Sequence, residues 1–285
     1  MRYALLVLEQ PWSSIAHDPQ QTSVRHFLEG LGRLHDLPTY YATYFDGQSF
    51  DVALQHLLAA RNLDNVDKVI VYVAGHGRGS RLGGDFGRAM NLKTLFARLR
   101  KYGHGKIAGL ILDSCQLGMN RSTLRAGMTT AHLAWLLAYG ANMDWLSSML
   151  INLHVLQHMA QIKPKHLTDR DVVLGQLQAG LSLFNPWHIV DRLDDDNAEI
   201  DEAAIDELLN EASDIFVDED ALPKAVDSEP GADDDICDGD IDLSEGITVV
   251  LRCHQANGRY RREIVPAEAL WPAYLGEDEL EDEAA

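Results

Sequence analysis

Three short apolar runs constrain this fold more than any other feature of the sequence. Tyr3 to Leu8 (YALLVL), Asp67 to Ala74 (DKVIVYVA) and Ile107 to Leu112 (IAGLIL) are nearly free of polar residues. A strand with one wet face alternates polar and apolar residues, whereas a continuous run marks a strand covered on both faces. Segments of helical spacing separate the runs. Ser23 to Leu34 places Val24, Phe27, Leu28, Leu31 and Leu34 on one side, and Pro38 ends it. Ser49 to Ala60 is helical. Asn91 to Tyr102 puts Leu92, Leu95, Phe96 and Leu99 on one face, with Gly103 as a stop. Thr39 to Tyr44 (TYYATY) is β-branched and aromatic, hence a further strand. This alternation predicts an α/β domain: a mostly parallel sheet with helices on both faces. Farther on, Thr129 to Tyr139 is expected to be a helix ended by Gly140. Ala141 to Ser147 is expected to be a fifth strand and Leu150 to Ile162 another helix.

Charge divides the chain of 285 residues in two. Residues 1–190 hold 18 Lys+Arg and 13 Asp+Glu, a net of +5, while residues 191–285 hold 6 and 31, a net of −25. Between Arg192 and Glu245 there are 22 acidic and two basic residues, a self-repelling composition that predicts a largely disordered segment. Within it, Ala203 to Phe216 has the spacing of one short helix. After it, Ile247 to Arg252 and Tyr260 to Val265 flank a Gln-Ala-Asn-Gly turn, the pattern of a hairpin. A lone hairpin is marginal in water, so this one should join or pack on the main sheet. The expected organisation is a domain at 1–190, an acidic linker or autoinhibitory segment at 191–245, and a hairpin with an acidic tail at 246–285.

Bulk properties exclude several classes. No apolar run reaches membrane-spanning length, so no membrane partner is expected. The acidic half would repel phosphates, which argues against nucleic acid as a main partner. The three cysteines, Cys115, Cys237 and Cys253, are widely spaced and form no CxxC. A disulfide framework is not expected, and a reducing cytoplasm is the simplest location. The first residues lack the regions of a signal peptide and read as a strand.

Two strands end in reactive residues. The first runs Val69-Ile-Val-Tyr-Val-Ala-Gly-His76-Gly77, the second Gly109-Leu-Ile-Leu-Asp113-Ser114-Cys115-Gln116-Leu117-Gly118. A right-handed crossover through one helix makes them parallel, with their carboxyl ends side by side. Functional residues of open α/β sheets gather at that edge. A thiol near pH 7 is mostly protonated, and a facing imidazole can take its proton and later protonate a leaving amine. The backbone N–H groups of Gly77 and Cys115 are candidate donors to a developing oxyanion.

Apolar strand–His–Gly, a helix, then apolar strand–Asp–x–Cys–x–x–Gly resembles the caspase-like clan of cysteine peptidases (clan CD). The Asp113-Ser114-Cys115 triplet is nearest to metacaspases and CHAT-type relatives from bacteria. The resemblance spans roughly residues 1–160. It implies a catalytic pair, His76 and Cys115, and an oxyanion hole from Gly77 and Cys115. It also implies that Asp113 lines the S1 pocket and selects Arg or Lys before the scissile bond. A buried carboxylate prefers such a cationic partner. Asp18 and Asp85 are further S1 candidates. The substrates implied are proteins or peptides, with no cofactor and no metal. The enzyme implied is latent until a partner protein or a small signalling nucleotide triggers it, in stress or antiphage defence. The chain departs from the metacaspase pattern: Cys115-Gln116-Leu117-Gly118 replaces Cys-His-Ser-Gly, and acidic residues after His76-Gly77 are mostly missing. Two other readings remain open: a catalytically inactive caspase-like scaffold or ligand-sensing module, and a flavodoxin-like binding module.

Other motifs carry less. His104-Gly105 follows a helix and reads as a turn. His154 and His158 are spaced i, i+4 but lack the Glu of a zinc protease. Asp238-Gly-Asp240-Ile-Asp242 fails the calcium-loop pattern, since Leu243 stands where glycine is required. The glycine-rich stretch 75–84 fits neither a Walker nor a GxGxxG motif. Arg78, Arg81 and Arg88 make the loop after His76 basic.

Overall fold

The apolar runs do form strands, and they lie side by side. β1 (Tyr3–Glu9), β3 (Lys68–Ala74) and β7 (Ile107–Asp113) are adjacent and parallel. All seven residues of β1 and of β7 are buried. The computed structural model describes residues 3–11, 23–59, 63–83, 89–140, 143, 145–184, 247–254 and 259–271. The acidic stretch 191–245, with its expected helix at 203–216, lies outside them, as do Asp18 and Asp85.

β2 (Thr39–Thr43) pairs with β1 at one edge, and β8 (Trp135–Tyr139) pairs with β7, both parallel. Beyond β8 the hairpin of β9 (Ile247–His254) and β10 (Tyr260–Val265) continues the sheet antiparallel. The seven-stranded order is β10-β9-β8-β7-β3-β1-β2. The hairpin therefore completes the sheet that the first residues begin. Its outer strand carries Tyr260, Arg261 and Arg262, and charge on an exposed edge opposes pairing with other chains. Arg170 clips β10 through two bonds to Glu263 Oε1, at 2.7 and 2.9 Å.

Helices cover both faces, as the alternation predicts. On one face α1 (Arg25–Leu34), α5 (Trp145–Met159) and α6 (Arg170–Leu181) pack with Leu5, Ile70, Tyr72 and Trp135. On the other, α2 (Gly47–Leu58), α3 (Leu92–Gly103) and α4 (Arg121–Ala131) pack with Leu6, Val71 and Leu110. Start signals are local. Asp46 accepts from Ser49 N at 2.8 Å while Ser49 Oγ accepts from Asp46 N, a capping box for α2. Asn91 caps α3. A short α7 (Ala267–Leu270) follows the hairpin.

Two expectations need correction. Trp135–Tyr139 is a strand, not the end of a helix. His132 stops α4 in a left-handed conformation (φ 57°), and the run WLLAY is then buried throughout between β7 and β9. A five-residue apolar run satisfies either period, and burial between two strands decides it. Of the segment read as a fifth strand, 141–147, residues 145–147 are the first turn of α5. Two further elements were not anticipated. One is α6. The other is a small antiparallel sheet of β4 (Gly77–Arg78) and β5 (Arg81–Leu82), both within the glycine-rich stretch 75–84, and β6 (Met90–Asn91) beyond it.

Among the described residues no helix is long and apolar enough to cross a membrane.

Candidate active site

Register places the reactive segments at one edge. Glu9 stands opposite Ala74, and Ala74 opposite Asp113, so the last residues of β1, β3 and β7 form one row. Backbone bonds extend the row past the strand ends. Gln10 N donates to Ala74 O at 2.9 Å, and Gly75 N to Asp113 O at 3.2 Å. The segments bearing His76-Gly77 and Ser114-Cys115 therefore leave the sheet side by side.

They then touch. A Cβ on Gly77 would lie 2.2 Å from the Cys115 carbonyl oxygen, 3.0 Å from Ser114 Cβ and 3.1 Å from the Cys115 nitrogen. Only glycine permits that approach. His76 is exposed, while Gly77 and Cys115 are half-buried, so the edge is open to a ligand. His76, Gly77 and Cys115, three of the residues singled out from sequence, thus gather at one place.

The thiol has a neighbour that the sequence did not reveal. Met143, just past β8, donates its N–H to Cys115 Sγ at 3.5 Å, and its carbonyl accepts from the thiol at 3.8 Å. Nothing in the Met143 side chain could have signalled this, because the contact is made by backbone.

The loop after Cys115 is held on several sides. Gln116 is left-handed (φ 61°), and a 3-10 turn follows over Leu117–Met119. Gly118 packs on the end of β8, where a Cβ would meet Gly140 N at 2.6 Å, and its carbonyl accepts from Thr248 Oγ1 of β9 at 3.1 Å. Gly79, at the β4–β5 turn, receives two side chains from this loop. Its N–H donates to Gln116 Oε1 at 3.2 Å, and its carbonyl accepts from Asn120 Nδ2 at 2.9 Å.

Asp113 lies beneath this edge, 2% exposed. The Tyr72 hydroxyl donates to its Oδ2, and Ser148 and Asn152 of α5 also hydrogen-bond it. Asn152 Nδ2 donates to the Tyr72 oxygen at 3.0 Å, and Tyr139 OH donates to Asn152 Oδ1 at 2.8 Å. Burial pushes the Asp113 carboxyl up to about 6; its three hydrogen-bond partners pull the other way, and the charge of Glu9 adds to the rise. Burial, then the charge of Asp113, raises the Tyr72 phenol well above its ordinary range. Glu9 is equally buried and accepts from Ser23 Oγ, Val24 N and Tyr41 OH at 2.7, 2.9 and 2.6 Å. Two buried carboxylates thus flank Ala74 in one row. Glu9, one position past the run Tyr3 to Leu8, was not singled out from sequence. The signal available was an acid where β1 leaves the sheet, in the row of Asp113.

The remaining histidines have local roles. His104 caps α3 in a left-handed turn (φ 43°). His154 bonds Gly180 O through Nδ1 at 2.8 Å and stacks edge-on with His158. Cys253 is buried in β9. Among the described residues, no three His, Cys, Asp or Glu side chains gather as a metal site.

Comparison with protein-family models finds no match, and comparison with curated proteins finds none. Among solved structures, the chain is similar to a secreted C11 cysteine protease from Bacteroides thetaiotaomicron, determined in complex with an irreversible peptide inhibitor. The alignment has 12% identity and a TM-score of 0.45, and it covers 65% of this chain. The chain spans 59% of that protein's length. What the fold and site define on their own is a mostly parallel α/β sheet with a Gly–Cys backbone contact at its carboxyl edge.

Proposed function

We propose that the chain is a caspase-like cysteine endopeptidase with Cys115 as nucleophile and His76 as acid and base. The observation that carries this reading is the contact of Gly77 with the Cys115 backbone at the ends of adjacent parallel strands. In the proposed reaction the His76 imidazole takes the Cys115 proton, and Sγ attacks the scissile carbonyl carbon. The new C–S bond leaves an oxyanion, to which the amides of Gly77 and Cys115 donate. Collapse breaks the C–N bond, and the proton on His76 passes to the leaving amine. Water, losing a proton to His76, then cleaves the thioester and regenerates the thiol.

The finer part of the proposal is a preference for Arg or Lys before the scissile bond, read by Asp113. Its support is the position of Asp113 two residues before Cys115 and the second carboxylate, Glu9, in the same row. Latency is also proposed. Its support is the Met143 backbone, which holds the thiol between an N–H and a carbonyl. The same contact favours a second reading, a caspase-like module that binds partners without catalysis.

Peptide probes with Arg, Lys or Asp before a thiol-reactive group test all of this. Labelling of the wild type and not of Cys115→Ala, with a tenfold loss in His76→Ala, is the expected result. Preference for Asp overturns the role of Asp113 and leaves the pair. A Cys115 that labels no faster than free cysteine, with His76→Ala unchanged, overturns the catalytic reading.

A further inference from the structure

The β4–β5 hairpin begins with Gly77, directly after His76, and turns at Gly79. Gly79 is left-handed (φ 55°), and its side is open: a Cβ there would meet nothing within 4 Å. Strand pairing and the bond from Gly83 N to His76 O hold the hairpin itself, and the bonds from Gln116 and Asn120 to the Gly79 N–H and carbonyl tie its turn to the cysteine loop. Both side chains come from the loop that carries Cys115. We infer that Gln116 and Asn120 are positioning residues that clamp Gly79 and so set the His76 segment against Cys115.

Each residue forgoes a local preference to make its bond. Asn120 is the N-cap of α4, where an Asn side chain ordinarily accepts from the backbone of the first turn. Here it caps nothing, and its amide instead donates to Gly79 O and, at 3.3 Å, to Leu117 O. Gln116 holds a left-handed backbone that a residue with a Cβ seldom adopts. Its Oε1 thereby reaches the Gly79 N–H. The clamp matters because proton transfer between imidazole and thiol tolerates little displacement: an error of about 1 Å can cost roughly a hundredfold in rate.

The inference rests on the catalytic pair proposed above, and the chemistry of the clamp separates it from ordinary stability. Asn120→Asp keeps an N-cap residue and adds a negative charge that the α4 dipole favours, but it cannot donate to Gly79 O. Gln116→Glu keeps the acceptor for Gly79 N, whereas Gln116→Met keeps the length and loses it. The measurement is the rate at which iodoacetamide labels Cys115 in the full chain near pH 7, read on the Cys115 peptide by mass, with the melting temperature of every variant alongside. The expected result has three parts. His76→Ala slows labelling about tenfold. Asn120→Asp and Gln116→Met approach that slow rate, Asn120→Asp with an unchanged or higher melting temperature. Gln116→Glu labels like the wild type. Wild-type rates in both Asn120→Asp and Gln116→Met, with His76→Ala slowed, overturn the clamp and leave the pair standing. An unslowed His76→Ala overturns the pair and the clamp with it.

Discussion

Gly77 and Cys115 touch through their backbones, with 2.2 Å between the Cys115 carbonyl oxygen and the place where a Gly77 Cβ would stand. No rotation of a side chain relieves that contact, because the atom in the way belongs to the main chain. Gly77→Ala must therefore push the hairpin away from the Cys115 loop. The expected outcome is a folded protein destabilised by about 1–3 kcal/mol, with Cys115 labelling by a peptide probe reduced by roughly a hundredfold. Denaturant unfolding and labelling rates on the same sample check both parts.

Asp113 makes stability depend on pH. Its folded carboxyl is raised to about 6 from 3.8, mainly by burial. A raised acid binds its proton more tightly in the folded state than in the unfolded state. It therefore weighs against folding as pH climbs from about 4 to 6, and the effect is complete above that window. A shift of about two units corresponds to about 3 kcal/mol. Asp113→Asn lacks this dependence. Unfolding free energies at pH 4 and pH 7 should show the wild type losing up to about 3 kcal/mol relative to the variant over that range.

Tyr72 connects the two halves of the buried network, donating to Asp113 and accepting from Asn152. Tyr72→Phe leaves both partners short of a bond in a place that water does not reach. A loss of roughly 1–3 kcal/mol is expected. Asp113 also loses one of the bonds that lower its pKa, so the fall in stability should continue to higher pH than in the wild type. Chemical denaturation across pH reads both effects.

The bond from Arg170 to Glu263 is partly exposed, with side chains 37% and 20% accessible. Glu263→Gln should cost no more than about 1 kcal/mol, and it should leave the labelling rate of Cys115 unchanged. A large effect on labelling would show that docking of β10 reaches the site.

The strands that position the site were legible because their burial is written in their composition. Val69 to Ala74 and Ile107 to Leu112 have no charged residue to turn toward water. The places of His76 and Cys115 followed from where those runs stop. Trp135–Tyr139 was not legible, since its five apolar residues fit a helix as well, and only β7 and β9 on either side make it a strand. The environment of Asp113 was hidden for a different reason. It is assembled from Tyr72, Ser148 and Asn152, and Asn152 lies 80 positions from Tyr72. Met143 and Gly79 act through backbone groups, which every residue has and no residue type announces.

The hairpin of β9 and β10 is joined to the rest by a ladder, from Trp135 opposite Leu251 to Tyr139 opposite Ile247, and by Thr248 on Gly118. None of those contacts depends on the peptide bonds between α6 and β9. Were the chain cut between α6 and β9, that ladder would hold the two pieces together as a complementation complex. Its lifetime would be set by dissociation of an inner strand from the sheet, and the strand that dissociates is one that supports the cysteine loop.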